Sequence, residues 1–306
     1  LINVPQGNAT SLKIALVLWR GETDGERGFK DGLRDLGYSV DYEIFDGEQN
    51  IDKLIYMIRK TINYEDFDYI YSFGTTVSLK VKQWREQKGI KTPQIFNLPA
   101  NPVETGIVKG MKGSGGNHGG TSSGVSIRLQ ILNALKLHRI KRVAVFFNPR
   151  EQQSLVFKKT LTEVGKEMNF EIVSLRSPPV SQTLEYNLKK LVKKEVNVDS
   201  VYLPADSFLI SHAPMIAAQL IKTKLVSIGA NRNFVQAGAT MGTLPSYYKL
   251  GRLAAQVVNR HQNGEKISDI PVMTDENPQL LINMTTVKKL GLNVPDDLLK
   301  ASIILN

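Results

Sequence analysis

The chain has 306 residues, 42% hydrophobic and 22% charged, and since single cores stop growing at roughly 250 to 300 residues while domains centre on about 100 to 150, two domains are expected. No stretch approaches the ~20 apolar residues that cross a bilayer, and the lack of any cysteine excludes disulfide frameworks, thiolate metal sites and a cysteine nucleophile. The net charge of +10 raises nucleic acid as a partner. However, the densest groups, Lys189-Lys190 with Lys193-Lys194 and Lys222 with Lys224, read as solvated helix faces, so no nucleic-acid partner is expected.

The chain opens at Leu1 with a polar, Pro- and Gly-containing stretch, as expected of a mature start from which a leader or lipid anchor has been trimmed. Short Val/Ile/Leu runs then alternate with segments of helical period, the pattern of buried parallel strands covered by helices. Strands are predicted from near Leu12, Tyr38, Phe67 and Pro93, with helices over Gly25 to Leu36, Ile51 to Ile62, Thr76 to Gln87 and Val103 to Lys109. The glycine-rich run from Gly110 to Gly120 is too rich in glycine for an element interior and reads as a connection. A second set of strands begins near Lys141, Asn169, Val198 and Leu225, with helices over Glu151 to Met168, Thr183 to Glu195 and Ser207 to Thr223.

After Gly238 the rhythm changes: a helix from Tyr247 to Arg260 closed by Asn263-Gly264, then Ile270 to Val272, a strand Leu280 to Asn283, and helices at Thr286 to Leu290 and Pro295 to Lys300. Such segments suit a chain that revisits both domains. The expected fold is α/β, two Rossmann-like doubly wound lobes joined by a multi-strand hinge. The N-terminal lobe is assigned residues 1–124 and 243–271, the C-terminal lobe 125–242 and 272–306.

Candidate site residues lie where strands hand over to helices, because ligands of open α/β sheets bind beyond the carboxyl ends of strands. Gly74, Thr75 and Thr76 offer backbone N–H groups and hydroxyls at a helix start, suited to a carboxylate. Asn148, Gln153 and Ser154 occupy the matching turn of the second set, and Asp206 with Ser207 another; each also serves as an ordinary cap or turn residue. Trp19 and Glu22 follow the first strand, where an aromatic and a charge would be costly to bury without purpose. The spacing that starts at Gly113 fails as a dinucleotide fingerprint, because His118 stands where the third glycine belongs. His118, His138, His212 and His261 show no metal-ligand spacing and are taken as surface or packing residues. No cofactor and no metal is expected, and no nucleophile–base pair supports an enzyme.

Several motifs in order resemble one family: Arg27-Gly28-Phe29-Lys30-Asp31-Gly32-Leu33 with Leu36-Gly37-Tyr38; Gly74-Thr75; Asn101-Pro102-Val103 with Gly106-Ile107-Val108; and Gly115-Gly116-Asn117 leading to Ser123-Gly124-Val125-Ser126. Further on come Asn148-Pro149 with Glu151 and Ser154, Tyr247-Tyr248-Lys249-Leu250-Gly251-Arg252, Asn263-Gly264-Glu265-Lys266, Asp269-Ile270-Pro271-Val272 and Leu290-Gly291-Leu292-Asn293-Val294-Pro295. From about Leu12 to Ile304 the chain is similar to the substrate-binding proteins of ABC transporters, in the group that includes tryptophan and tyrosine binders with the type I periplasmic-binding-protein fold.

The resemblance implies an extracytoplasmic, periplasmic or lipid-anchored monomer that captures a small molecule, often an aromatic or other amino acid, and delivers it to a membrane permease. Ligand would lie between the lobes and stabilise a closed form. Gly74, Thr75, Thr76 and the turn from Asn148 to Ser154 would anchor a carboxylate, Asp206 would meet an ammonium, and Asn101 and Pro102 would also line the ligand site. One position departs from the family, since Asn101 stands where an Asp usually precedes Pro-Val. The competing reading is a ligand-sensing input domain of a receptor or regulator built on the same clamp.

Overall fold

The structure is a computed structural model and describes residues 10–150 and 152–306. The chain enters as β1 (Ser11–Leu18), α1 (Asp24–Asp35), β2 (Ser39–Asp46), α2 (Ile51–Tyr56, continued by a π-helical turn Met57–Thr61), β3 (Tyr69–Phe73), α3 (Gly74–Lys88), β4 (Gln94–Asn97) and β5 (His118–Ser122). It continues as α4 (Ile127–Leu135), β6 (Arg142–Phe147), α5 (Gln152–Met168), β7 (Glu171–Arg176), α6 (Ser181–Val192), β8 (Ser200–Leu203), α7 (Ser207–Ser211), α8 (Ala213–Leu220), β9 (Val226–Gly229), α9 (Arg232–Ala237) and β10 (Met241–Leu244). Then come α10 (Tyr247–Gln262), β11 (Met273–Thr274), β12 (Gln279–Asn283), α11 (Met284–Leu290), α12 (Asp296–Lys300) and β13 (Ser302–Leu305).

Two compact units result. Unit 1 takes in Leu1–Gly124 and Pro245–Glu276, and unit 2 takes in Val125–Leu244 and Asn277–Asn306, so the chain passes from one to the other after Gly124, Leu244 and Glu276. Unit 1 holds a parallel sheet in the order β11-β5-β4-β3-β1-β2. Unit 2 holds one in the order β13-β12-β10-β9-β8-β6-β7, parallel except where β12 runs against β10. The doubly wound α/β class expected from the sequence is the observed one.

Both sheets are buried on two faces, which is why their strands read as unbroken apolar runs. In β1, Leu12, Ile14, Leu16 and Leu18 pack with Phe29 and Leu33 of α1 and Ala254, Val257 and Val258 of α10. The alternate residues Ala15 and Val17 pack with Leu54, Ile58, Val77 and Val81 on the opposite face. Unit 2 repeats the scheme: Val143 and Val145 of β6 meet Ile131 and Leu161, while Ala144 and Phe146 meet Leu184, Leu188 and Ile216.

Several elements depart from the reading of the sequence. Residues 103–109 form turns and no helix; Gly106 adopts φ +75°, a left-handed conformation that interrupts helical geometry. The end of the glycine-rich run is a strand, β5, because a side chain at position 120 would collide with the backbone oxygen of Phe96 on neighbouring β4, 1.8 Å from a Cβ placed there. Glycine at this point permits close strand approach. The helix expected over Ser207 to Thr223 breaks at His212 into α7 and α8, with Pro214 in the first turn of the second. Just after the segment Ile270 to Val272 the chain forms the short strand β11 at Met273–Thr274, and β13 adds an edge strand at Ser302–Leu305; the sequence reading assigns neither.

Candidate functional site

In a doubly wound sheet the natural crevice lies at the carboxyl edge, where successive strands are laid down on opposite sides of the first. Unit 1 has this switch between β1 and β3, and unit 2 between β6 and β8. Beside these switches lie Trp19 to Glu22 and the start of α3 at Gly74 to Thr76 in unit 1, and in unit 2 Asn148 to Arg150 with the start of α5 up to Ser154, and Asp206 with Ser207 at the start of α7. Asn101 and Pro102 follow β4, one strand farther along the unit 1 sheet. The candidate residues of each unit therefore gather at its own switch point or beside it.

In unit 1, α3 starts at Gly74, whose φ of +69° suits glycine. Its N-cap residue, Phe73, supplies no side-chain hydrogen bond, so the first N–H groups of this 15-residue helix depend on solvent or a ligand. Thr75 is half-buried and Thr76 exposed. The Asn101 backbone oxygen accepts from the Thr105 amide and hydroxyl at 3.1 and 2.7 Å, whereas its side-chain nitrogen Nδ2 is buried without a partner. Trp19 packs against the cluster formed by Phe45, Leu54 and Met57. Glu22 forms an ion pair with Lys30, whose ammonium also lies 5.0 Å from the Tyr42 ring centre. These last two thus have structural partners of their own.

In unit 2, the Asn148 amide donates to Ser154 Oγ at 2.8 Å, and Asn148 Oδ1 accepts from the Arg150 amide at 3.0 Å. Asn148 and Ser154 are both buried, so their polar atoms shape the turn itself. The side chains of Gln153 and Ser207 lie outside the described residues.

Asp206 is the exceptional residue. It is fully buried; its Oδ1 accepts from the Leu209 amide at 2.8 Å and caps α7, but its Oδ2 is enclosed with no hydrogen-bond partner. A buried carboxylate oxygen left without a donor costs several kcal/mol (about 1–3 for a neutral group, more for a charge), so such groups in native proteins point to a missing partner.

The sequence reading missed a buried polar chain across the carboxyl edge of unit 1. The Tyr71 hydroxyl donates to Glu26 Oε1 at 2.5 Å and accepts from Asn97 Nδ2 at 2.8 Å, and Thr121 Oγ1 donates to Asn97 Oδ1 at 2.5 Å. Glu26 Oε2 closes a capping box with Thr23. Burial first, and then the neighbouring Glu26 carboxylate, hold the Tyr71 phenol well above its usual pKa, so it serves as a donor. This chain fixes the end of β4, where Leu98 adopts φ +74° and where Ser122 and Ser123 donate to the Ala100 and Leu98 carbonyls. The only signal in the sequence was polar residues, Tyr71 and Asn97, inside otherwise apolar strands.

Among the histidines, His118 is buried and bonds the Ile107 carbonyl at 2.8 Å, and His261 meets the Tyr69 hydroxyl at 2.6 Å. Among the described residues no cluster of three or more His, Asp or Glu is arranged to hold a metal, and no helix is long and apolar enough to cross a membrane.

Comparison with known proteins decides the family. The family model described as ABC transporter substrate binding protein matches residues 19–303. The chain belongs to this family. The binding protein is 28% identical over 272 residues to the tyrosine-binding protein of Clostridioides difficile (strain R20291), covering 87% of the present chain and 76% of that relative. Its fold matches a ligand-free, open substrate-binding protein with adhesive properties from Clostridium difficile, with a TM-score of 0.82 and 23% identity over 96% of this chain and 99% of that one. It also matches an ABC domain in complex with L-Trp from Streptococcus pneumonia, with a TM-score of 0.77 and 18% identity over 97% and 100%. These are substrate-binding proteins of the type I periplasmic-binding-protein fold, a non-enzymatic, solute-binding kind of protein that serves a transporter.

Proposed function

We propose that this chain is the extracytoplasmic binding component of an ABC importer that takes up an α-amino acid, an aromatic one first, and hands it to a membrane permease. It acts as a monomer and leaves its ligand chemically unchanged. The observation that carries this reading is the unpartnered Oδ2 of the fully buried Asp206 at the switch point of unit 2. An enclosed carboxylate is tolerable when a cation meets it, and an amino-acid ammonium is a cation of the right size. The donors at the carboxyl edge of unit 1, the uncapped N–H groups of α3 and the unpartnered Nδ2 of Asn101, suit a carboxylate. On this reading Asn101, where the family usually carries Asp, replaces an acceptor with a donor and removes a charge that would repel a ligand carboxylate. Gly74, Thr75, Thr76 and Asp206 are the direct ligand groups; Asn148 and Ser154 hold their turn, and Pro102 shapes the approach to Asn101. The tyrosine-binding relative and the L-Trp complex support beginning the search with aromatic amino acids.

The test is a thermal-shift series with L-tyrosine, L-tryptophan, tyramine and 3-(4-hydroxyphenyl)propionate. A true ligand at a hundredfold excess over its Kd stabilises the fold by about 2.7 kcal/mol. The expected result is a shift with an intact amino acid and little or none with analogues lacking the carboxylate or the amine. An equal shift with the deaminated analogue would overturn the assignment of Asp206.

A further inference from the structure

The two units carry charge very differently. Unit 1 contains 19 Lys and Arg against 19 Asp and Glu, whereas unit 2 contains 20 against 10, so the whole excess of +10 resides in unit 2. Among the described residues, only three ion pairs fall within unit 2: Arg128 with Glu167, Arg142 with Glu171, and Lys193 with Glu195.

The excess is concentrated at one end. The turn from α4 into β6 carries Lys136, Arg139 and Lys141, and β6 opens on Arg142; the last turn of α5 brings Lys166 to the start of β7. The entry to β8 carries Lys189, Lys190, Lys193 and Lys194, and the entry to β9 carries Lys222 and Lys224. Because the sheet order runs β9-β8-β6-β7, these four entries stand side by side along the amino edge of the sheet, the edge opposite Asn148 and Asp206. Nine of these eleven side chains are exposed, and Arg142 and Lys190 are half-buried. Four acids share the edge, and they are committed: Glu167, Glu171 and Glu195 to the ion pairs above, and Asp199 to the Lys141 and Arg142 amides at 2.9 Å.

Basic residues at helix C-termini complement the helix dipole, but that need is met without an excess in unit 1. The corresponding entries to β2, β3 and β4 carry six basic residues against five acids, and Arg34 forms an ion pair with Asp35. The fold therefore does not demand the surplus of unit 2. Four adjacent strands at about 4.8 Å spacing, with helices on both faces, present a broad end and not a groove. One exposed aromatic ring adjoins these entries, Tyr186 on α6, and it is covered by Lys190, whose ammonium lies 4.9 Å from the ring centre; a single ring is not the series of platforms on which successive bases stack.

We infer that the amino edge of the unit 2 sheet docks on an anionic phospholipid bilayer, with Lys136, Arg139, Lys141, Lys189, Lys193 and Lys194 meeting lipid phosphates. Each Lys or Arg near such a surface adds to the attraction, which salt screens. Docking through this edge leaves the switch point of unit 2 facing away from the lipid. The choice of a bilayer over another polyanion rests on the extracytoplasmic transport reading.

The experiment is co-sedimentation of the whole chain with vesicles of equal parts phosphatidylglycerol and phosphatidylcholine, and with pure phosphatidylcholine. Binding is expected only to the anionic vesicles, and raised salt should release it. The variant K189E/K190E/K193E/K194E should weaken it by at least about tenfold, K136E/R139E/K141E should do likewise, and K80E/K91E in unit 1 should leave it unchanged. Each variant should keep its melting temperature and the wild-type response to amino acids, so a failure of the ligand screen with intact vesicle binding would count against the transport reading alone. Equal binding to both vesicle types, insensitivity to both unit 2 variants, or capture of duplex DNA without capture of vesicles would overturn the inference.

Discussion

The two oxygens of Asp206 differ: Oδ1 caps α7, whereas Oδ2 is buried without a partner and is the atom proposed to meet the ligand. Asn caps helices about as well as Asp, so Asp206→Asn separates capping from ligand binding. Without ligand the variant should melt no lower than the wild type, since the cap is kept and the unpaired charge removed, yet bind its amino acid at least about a hundredfold more weakly, since losing the charged partner of a buried ammonium costs roughly 3–5 kcal/mol. Scanning calorimetry reads the first outcome and titration calorimetry the second, and unchanged affinity would remove Asp206 from the site. The second residue-scale prediction concerns His118. Burial lowers its pKa from 6.5 to about 4, so between these values the unfolded chain binds a proton that the native chain refuses. Stability from this group is full above pH ~6.5 and is lost as pH falls towards 4, by up to about 3 kcal/mol. His261 shifts in the same direction through burial. The variant His118→Gln should show a shallower fall in unfolding free energy between neutral and mildly acidic pH than the wild type; parallel curves would contradict this. Neither residue's role was legible beforehand: Asp206 was visible as a candidate from its place after a strand, but its orphaned oxygen is a property of packing. His118 sat in a run that looked like a connection, although it is a buried strand residue.

At the scale of elements, α1 and α10 of unit 1 approach through glycine. A Cβ on Gly28 would lie 2.0 Å from the Tyr248 carbonyl oxygen, and one on Gly251 would lie 2.0 Å from the Gly25 carbonyl oxygen. Either Gly28→Ala or Gly251→Ala must push the two helices apart, with a loss of about 1–3 kcal/mol or more. Urea denaturation should report lowered midpoints for both, and wild-type midpoints would mean that the helices can separate without loss. Gly28 and Gly251 both fall in the motifs on which the family resemblance rests, so spacing alone carried information about this contact, though not its reason. The βα alternation was equally legible because buried parallel strands and amphipathic helices leave different periods. What the pattern missed were elements too short or too unusual to leave one: β5 with two glycines in five residues, the two-residue β11, and the break between α7 and α8.

At the scale of the whole molecule, the doubling of the architecture was readable from the repeat of strand and helix at similar spacing, and it carried the most functional weight. Each unit has its own two-faced sheet and its own switch point, and the sequence placed its candidates at both without knowing the strand order. The distribution of charge was not readable in the same way. Lysines that looked like scattered solvated faces gather at one edge only once β9, β8, β6 and β7 are set side by side. The central claim is that this substrate-binding protein binds an intact amino acid through a buried carboxylate and does nothing further to it. Isothermal titration of L-tyrosine and L-tryptophan into wild type and Asp206→Asn, with mass analysis of the ligand recovered afterwards, tests that most directly. The account predicts saturable one-to-one binding of at least one of them by the wild type, loss of that binding in the variant, and recovery of the same molecule that was added. Binding that survives in the variant, or recovery of a chemically altered ligand, would contradict it.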